Sequence, residues 1–458
     1  MKAMNRITIT TTVFMSAVAS SSAQEQTITE ERVREAVTWL ASDERKGRDT
    51  GSDELAAAGL WIAARFEAAG LEPVREGSWF HEFTMPALQV DSDAVSLKLV
   101  RKEGEASKAF ELKAGVDVRQ LLASDGLEGE EPCTVAMAQD AALQRLLNAR
   151  SARRPVIIEV SEDHAFWEKC AGVHTLLTRR RRAARPIFLV RDGVLPKASP
   201  GRGAVEWTAS WSVAAPESVD MPQRNVMALL PADPSSPRKD EFVVVSAHYD
   251  HVGVGVGAAG DSIYNGADDN ATGTTAVVLL AEALADERLS RNVLFVCFSA
   301  EEKGLRGSRA FCEQPPLPLE KVVANLNIEM IGRPEAGKQK KCWFTGAGYS
   351  DFASICAEAF LTAEVEVVDF PRGNQLFWAS DNASFVRKGV IAHSVSAGSL
   401  HPDYHQPSDE VEKLDLPHMT AIIRGLYSVT KHLASRDAPP EWNEQGAKVI
   451  ERVTQRRR

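Results

Sequence analysis

Hydrophobic and polar positions change their spacing twice along the chain. From Thr29 to about Met85, apolar residues recur every three or four positions in "ERVREAVTWLA" and "ELAAAGLWIAARFEAAG", which predicts two helices, the second stopped at Gly70. Between about Pro86 and Met221 come short β-like runs, "AVSLKLV", "RPVIIEV", "RPIFLV" and "AVEWTASWSV", separated by charged and Gly/Pro-rich turns. These predict an inserted, mainly β lobe at 86–221. From Asn225 to about Ser435, nearly continuous apolar runs alternate with helical ones: "NVMALLP", "EFVVVSAHYD", "TTAVVLLAEALAD", "NVLFVCFSAEE", "GSRAFCEQ", "VVANLNIEMIG", "DFASICAEAF", "VIAHSVSAG" and "HMTAIIRGLYSVTKHLAS". Strands that are apolar throughout are covered on both faces, so the expected class is α/β: a mixed, largely parallel sheet with helices on both sides. The organisation that follows is a helical part at 24–85, the lobe, an α/β part at 222–435 and a C-terminal tail at 436–458.

Composition narrows the class of protein. The chain has 458 residues, 44% hydrophobic and 25% charged, enough for one large globular domain with an insertion. A formal charge of -10 repels phosphate and argues against nucleic-acid or anionic-membrane partners. The runs Arg179 to Arg182 and Arg456 to Arg458 read as solvated surface and a frayed end. At the N-terminus, Lys2 and Arg6 precede a moderately apolar stretch from Ile7 to Ala19 and then Ser21-Ser22-Ala23. This is the order of a signal peptide cut after Ala23, so export to a bacterial periplasm or medium is expected. No other stretch approaches the roughly 18 apolar residues of a membrane span, so stable membrane insertion is not expected. The cysteines Cys133, Cys170, Cys297, Cys312, Cys342 and Cys356 form no CxxC pair; Cys342 with Cys356, or Cys133 with Cys170, are open as disulfides.

The chemistry gathers where the apolar runs end. "GVGAAG" at Gly255 to Gly260 has dinucleotide-binding spacing, but "DSIYNGADDN" follows it, where that use needs a helix opening on the glycines. More coherent is the series His248-Tyr249-Asp250, then Asp268-Asp269, Glu301-Glu302, Glu329, and finally His401, His405 and Asp409 in "HPDYHQPSD". A parallel sheet delivers its strand ends to one edge. Two imidazoles and several carboxylates meeting there make a costly pocket unless cations neutralise it. The mixture of nitrogen and oxygen donors suits zinc, with cobalt or manganese as substitutes.

In this order, "AHYDHVG", "NGADDNATG", "SAEEKGLRGS", "NLNIEMIGRP" and "SLHPDYHQPSDE" resemble the co-catalytic di-zinc aminopeptidases, whose wider group includes glutamate carboxypeptidase II and the glutaminyl cyclases. The likeness covers about Asn225 to Ser435, with "LASDERKGRDTGS" similar to the family's lead-in. It implies a zinc exopeptidase fold holding two Zn2+. The first metal falls to His248 and Glu329, the second to Glu302 and His405, and Asp269, the acid directly before "NATG", bridges both, with a cis peptide after it. The resemblance makes Glu301 the general base, Tyr404 a hydrogen-bond donor to the oxyanion, and Asp250 the acceptor that fixes the His248 tautomer. The implied reaction is removal of N-terminal residues from peptides with a free N-terminus, by a hydroxide shared between the zinc ions.

Two positions depart from the family pattern: Glu329 stands where Asp is usual, and Asn382 where His is usual in "SDNASF". The longer Glu329 side chain leaves the geometry of the first metal open. A carboxypeptidase or dipeptidase of the same group, with Arg306 or Arg372 against a substrate carboxylate, a glutaminyl cyclase, and a silent binding scaffold are the alternative readings.

Overall fold

A computed structural model describes residues 27–75, 77–122, 127–137, 154–164, 167–168, 170–177, 185–196, 205–255, 261–398 and 400–455. The expected signal peptide, both arginine runs and positions 256–260 of the glycine-rich match lie outside these residues. The chain divides into two compact units, one made of residues up to Phe83 with Gln223–Val252 and Asn265 onward, the other of Thr84–Pro222 with Gly253–Tyr264.

The first unit holds β1 (Glu217–Leu230) from Gln223 on, paired with β3 from Val226, and the strands β2 (Phe242–His248), β3 (Asn292–Phe298), β4 (Val322–Ile328), β5 (Lys341–Phe344), β6 (Glu366–Val367) and β7 (Ala392–Ser396). They lie in the order β6-β5-β7-β4-β2-β3-β1. The central neighbours β3, β2, β4 and β7 run parallel, whereas β1 on β3 and β5 on β7 are antiparallel. The sheet is therefore mixed and largely parallel, as the continuous apolar runs predict.

Successive side chains of a strand point to opposite faces, and the two cores follow that rule. Val243, Val245 and Ala247 of β2, with Val293, Phe295 and Cys297 of β3, enter one core with helices α1 (Glu30–Leu40), α2 (Asp53–Ala68), α3 (Gly273–Leu284), α5 (Phe352–Phe360) and α7 (Leu416–Ser435). Val244, Leu294, Val296 and Phe298 enter the other, with α4 (Arg306–Glu313) and the short α6 (Asn382–Val386). Thr29 and Ser52 cap α1 and α2 by accepting from Arg32 N and Leu55 N. Just past α2, Gly70 has φ +78°, a left-handed turn that glycine makes at little cost.

The C-terminal stretch differs from expectation: Glu444–Gln455 forms a helix, α8. Its Val449 and Ile450 pack against the second core. Val449 and Ile450 are adjacent and half-buried, too short a pattern for the sequence to separate from a tail.

The second unit carries a seven-stranded sheet in the order Ala106–Leu112, Val95–Glu103, Glu206–Val213, Glu128–Met137, Val156–Val160, Ile187–Arg191 and Val118–Leu122. It also holds a hairpin in which Gly253–Val254 pairs with Ile263–Tyr264, residues that the sequence pattern assigns to the α/β part. This strand pairing stands where a dinucleotide site requires a helix to open. Neither Cys342–Cys356 nor Cys133–Cys170 is bridged.

Candidate metal centre

The parallel core strands end on one edge. His248 closes β2 in register with Phe298 of β3, and the backbone then turns sharply after each neighbouring strand. Ala300, directly before Glu301, has φ 57°; Met330, directly after Glu329, has φ 49°; His405 has φ 54°. Left-handed backbone at residues with a Cβ costs on the order of 1–3 kcal/mol and survives only where its surroundings hold it. Around Met330 the hold is visible: its N–H donates to Asn270 Oδ1 at 3.1 Å, and its carbonyl accepts from Ser396 Oγ at 3.0 Å. Asn270 also donates to the carbonyl of Ile328 at 2.8 Å and accepts from Gly273 N at 3.1 Å. One amide thus fixes the segment carrying Glu329 to the start of α3, next to Asp269.

Two groups of donor atoms result. His248, Asp269 and Glu329 form one; His251, Asp269, Glu302 and His405 form the other. Asp269 serves both, with one oxygen to each: Oδ1 lies 3.3 Å from His248 Nε2, and Oδ2 lies 3.1 Å from His405 Nε2. The Asp269–Asn270 peptide is cis. Glu329 reaches its group despite the extra methylene. Its Oε1 accepts from Asn327 Nδ2 at 3.1 Å and from Ser380 Oγ, leaving Oε2 at 3.4 Å from His248 Nε2. Glu301 belongs to neither group.

The electrostatics call for positive charge. Burial opposes a charged His405 ring, yet Asp269 and Glu302 outweigh it and raise the ring to about 10. Burial likewise opposes charge on His248, and Glu329 and Glu301 drive it well above its ordinary value. Glu302, raised by burial and by Asp269, is pulled down to about 2 by His251 and His405. Carboxylates in such a pocket need cationic company. The imidazole atoms facing them are also poorly served by hydrogen bonds. Nε2 of His405 and Nδ1 of His251 each lie 3.0 Å from Glu302 Oε1, but neither nitrogen makes a hydrogen bond among the described residues. Donor atoms that converge without bonding to one another, in nitrogen–oxygen sets, fit divalent zinc.

One expected position, Asp250, acts differently from the sequence reading. The carboxylate of Asp250 is 3.8 Å from His248 Nδ1, and it is the Asp250 backbone carbonyl, at 3.0 Å, that faces this nitrogen. The carboxylate instead accepts from Glu301 N at 3.0 Å, Glu302 N at 3.3 Å and Thr50 Oγ1 at 3.0 Å, so it anchors the turn bearing both acids. Asp268 faces away from the donor groups. Its Oδ1 accepts from Gly332 N at 2.8 Å and its Oδ2 lies 3.2 Å from His401 Nε2. Asp409 accepts from the backbone N–H groups of Asp268 and Asp269. Asn382 lies outside both groups: its side chain donates to Phe377 O at 2.9 Å and accepts from Ser394 Oγ at 2.9 Å. Tyr404 stacks on His405, ring centroids 4.0 Å apart, and is 37% exposed.

Sequence reasoning gave no role to His251 or to Arg48 of the lead-in loop. Arg48 is fully buried and donates to the carbonyls of Tyr249, Leu40, Asn265 and Gly266. It thereby clasps the loops that carry His248, His251 and Asp269. Burial lowers its pKa to about 10, partly offset by Asp250 and Asp269, so it stays charged at neutral pH. Lys303, beside the two acids, pairs with Asp49 at 2.7 Å. The signal was present: "SDERKGRDTGS" is densely polar yet sits between two core-forming helices.

Residues 225–430 match the profile of peptidase family M28. The matched segment is a little under half of the chain. A probable leucine aminopeptidase of Arthroderma otae is 26% identical over 222 residues, 45% of this chain and 58% of that protein. Aminopeptidase YwaD of Bacillus subtilis is 25% identical over 191 residues, 40% of this chain and 38% of its own. The match therefore spans little more than half of the first relative and less of the second. The solved structure of BSAP, a zinc aminopeptidase from Bacillus subtilis, shares the fold with TM-score 0.57 at 14% identity, over 89% of this chain and 96% of that one. The aminopeptidase from Aneurinibacillus sp. strain AM-1 gives 0.52 at 16% identity, over 90% and 96%. The matched segment contains every residue of both donor groups.

Proposed function

We propose that this protein is a zinc-dependent aminopeptidase that removes N-terminal residues from peptides, and that it works with two cations. The observation that carries the proposal is Asp269, whose two carboxylate oxygens face two separate donor groups while Glu301 stays outside both. His248, Asp269 and Glu329 would hold one cation, and Asp269, Glu302 and His405 the other. When bound, the pair of zinc ions acidifies water and polarises a carbonyl.

The remaining work belongs to side chains. Burial raises the Glu301 carboxyl well above its usual range, and the neighbouring Glu302, Asp381 and Glu329 push it further, against the pull of His248. A carboxylate so poised takes a proton from water and returns it to the leaving amine. Tyr404, partly exposed beside His405, is placed to donate to an oxyanion. Glu301 and Glu329 offer acceptors for the free α-amine of a substrate. The names of the curated relatives support N-terminal rather than C-terminal trimming, and the N-terminal Lys2 to Ala23 segment supports export as part of the same proposal.

Chromogenic aminoacyl-anilides with free and N-acetylated amines test the reading. The free compounds are expected to be hydrolysed and the acetylated ones spared. Cleavage of N-acetyl peptides, with C-amidated ones spared, would instead make the protein a carboxypeptidase.

A further inference from the structure

Buried histidines elsewhere in this unit spend both ring nitrogens on hydrogen-bonding neighbours. His393 has Nδ1 2.7 Å from Thr345 O and Nε2 2.7 Å from Ser350 Oγ. His418 has Nδ1 2.9 Å from Lys340 N and Nε2 2.9 Å from Ala397 O. His81 has Nε2 3.1 Å from Gln314 O and Nδ1 3.1 Å from Asn225 Nδ2. His251 breaks the pattern: it is fully buried, and neither nitrogen has a hydrogen-bond partner among the described residues. A structural histidine with both polar atoms buried and unmet is a poor use of the position.

The ring is nevertheless held in one place. His251 N donates to Arg48 O at 3.1 Å, and the ring meets His405 edge to face with centroids 5.4 Å apart. A Cβ at Gly266 would stand 2.4 Å from Cδ2 of His251 and 2.5 Å from its Cγ, so the glycine leaves room for this side chain. The placement sets Nδ1 3.0 Å from Glu302 Oε1 and 3.7 Å from Asp269 Oδ2, while His405 Nε2 lies 3.0 Å and 3.1 Å from the same two oxygens. Four donors around zinc at about 2.0–2.1 Å in a tetrahedron stand about 3.3 Å apart. The observed separations bracket that value.

We propose that His251 is a ligand in its own right, so that the group of Asp269, Glu302, His405 and His251 is a closed, four-donor site that binds its cation first and releases it last. The group of His248, Asp269 and Glu329 has three protein donors and keeps a position open. Closed tetrahedral sites are retentive, and three-ligand sites leave room for water or substrate. This asymmetry rests on the two-cation reading and adds a division of labour to it: one ion stays, the other exchanges and faces the substrate.

Zinc counting under a graded chelator tests the division on the full chain. The wild type is expected to shed one equivalent at low chelator and to keep the second through a much higher range. His251→Ala is expected to release both over one range, its tight site weakened by at least the 10–100-fold that even a residue supporting a ligand costs. Cobalt loaded at one equivalent gives a readout that simple packing does not move: its visible absorption should change in His251→Ala and in His251→Gln if a nitrogen ligand is lost. If both variants kept the wild-type release profile and cobalt spectrum, His251 would be no ligand, while the two-cation reading stood. A wild type that takes up fewer than two equivalents would overturn that reading itself.

Discussion

Glu301→Gln keeps its zinc and slows aminoacyl-anilide hydrolysis by roughly 10²–10⁴-fold, the usual worth of a positioned general base. The expectation comes from where the carboxylate sits. Glu301 is in neither donor group, so an amide of the same shape leaves the ligands intact. Its N–H bond to Asp250 Oδ1 is a backbone contact and survives the change. What disappears is a carboxyl whose proton affinity burial and the surrounding acids have raised. Metal content and kcat measured on the same preparation check this: zinc equal to wild type with lost turnover is the expected pair. Normal turnover would remove Glu301 from the base role, and lost zinc would make it a ligand.

Asp269→Ala produces the opposite pattern, with zinc lost from both sites and turnover lost with it. One carboxylate supplies an oxygen to each group, so its removal leaves two donors on one side and three on the other, with His248 and His405 deprived of a shared counter-charge. Asp268→Ala is the control. That acid bonds to Gly332 N and contacts His401, so its loss is expected to lower the melting temperature while zinc still binds at both groups. Zinc content by elemental analysis, beside thermal melts of each variant, separates the two outcomes. An Asp269→Ala protein that still held two equivalents would contradict the bridging role.

How much of this was legible in the sequence follows from the physics of each part. Continuous apolar runs such as "FVVVSA" and "NVLFVCF" are what a two-sided core requires, so the parallel centre of the sheet could be read directly. The acids and imidazoles at the ends of those runs were legible for the same reason, since chain order places them on one edge. Distinctions that depend on which atom points where were not legible. His251 lies three residues after His248, and nothing in that spacing tells whether its ring turns toward Glu302 or away. The family resemblance implied a carboxylate–imidazole contact between Asp250 and His248, yet the turn puts the backbone carbonyl there and frees the carboxylate for Glu301 and Glu302. Arg48 was hidden because its partners are four carbonyls, three of them distant in sequence at Tyr249, Asn265 and Gly266, and carbonyls leave no mark in a sequence. The adjacent acids Glu301 and Glu302 fall between these cases. The resemblance implies separate roles for them, and the structure shows Asp250 holding the turn that carries both.

The most direct test of the central claim is stepwise return of zinc to metal-free protein, with hydrolysis of a free aminoacyl-anilide followed at each addition. Two cations with unequal sites predict little activity up to the first equivalent, a rise that completes at the second, and no hydrolysis of the N-acetylated anilide at any point. Full activity in the metal-free protein, or a rise that is complete at one equivalent, would contradict it.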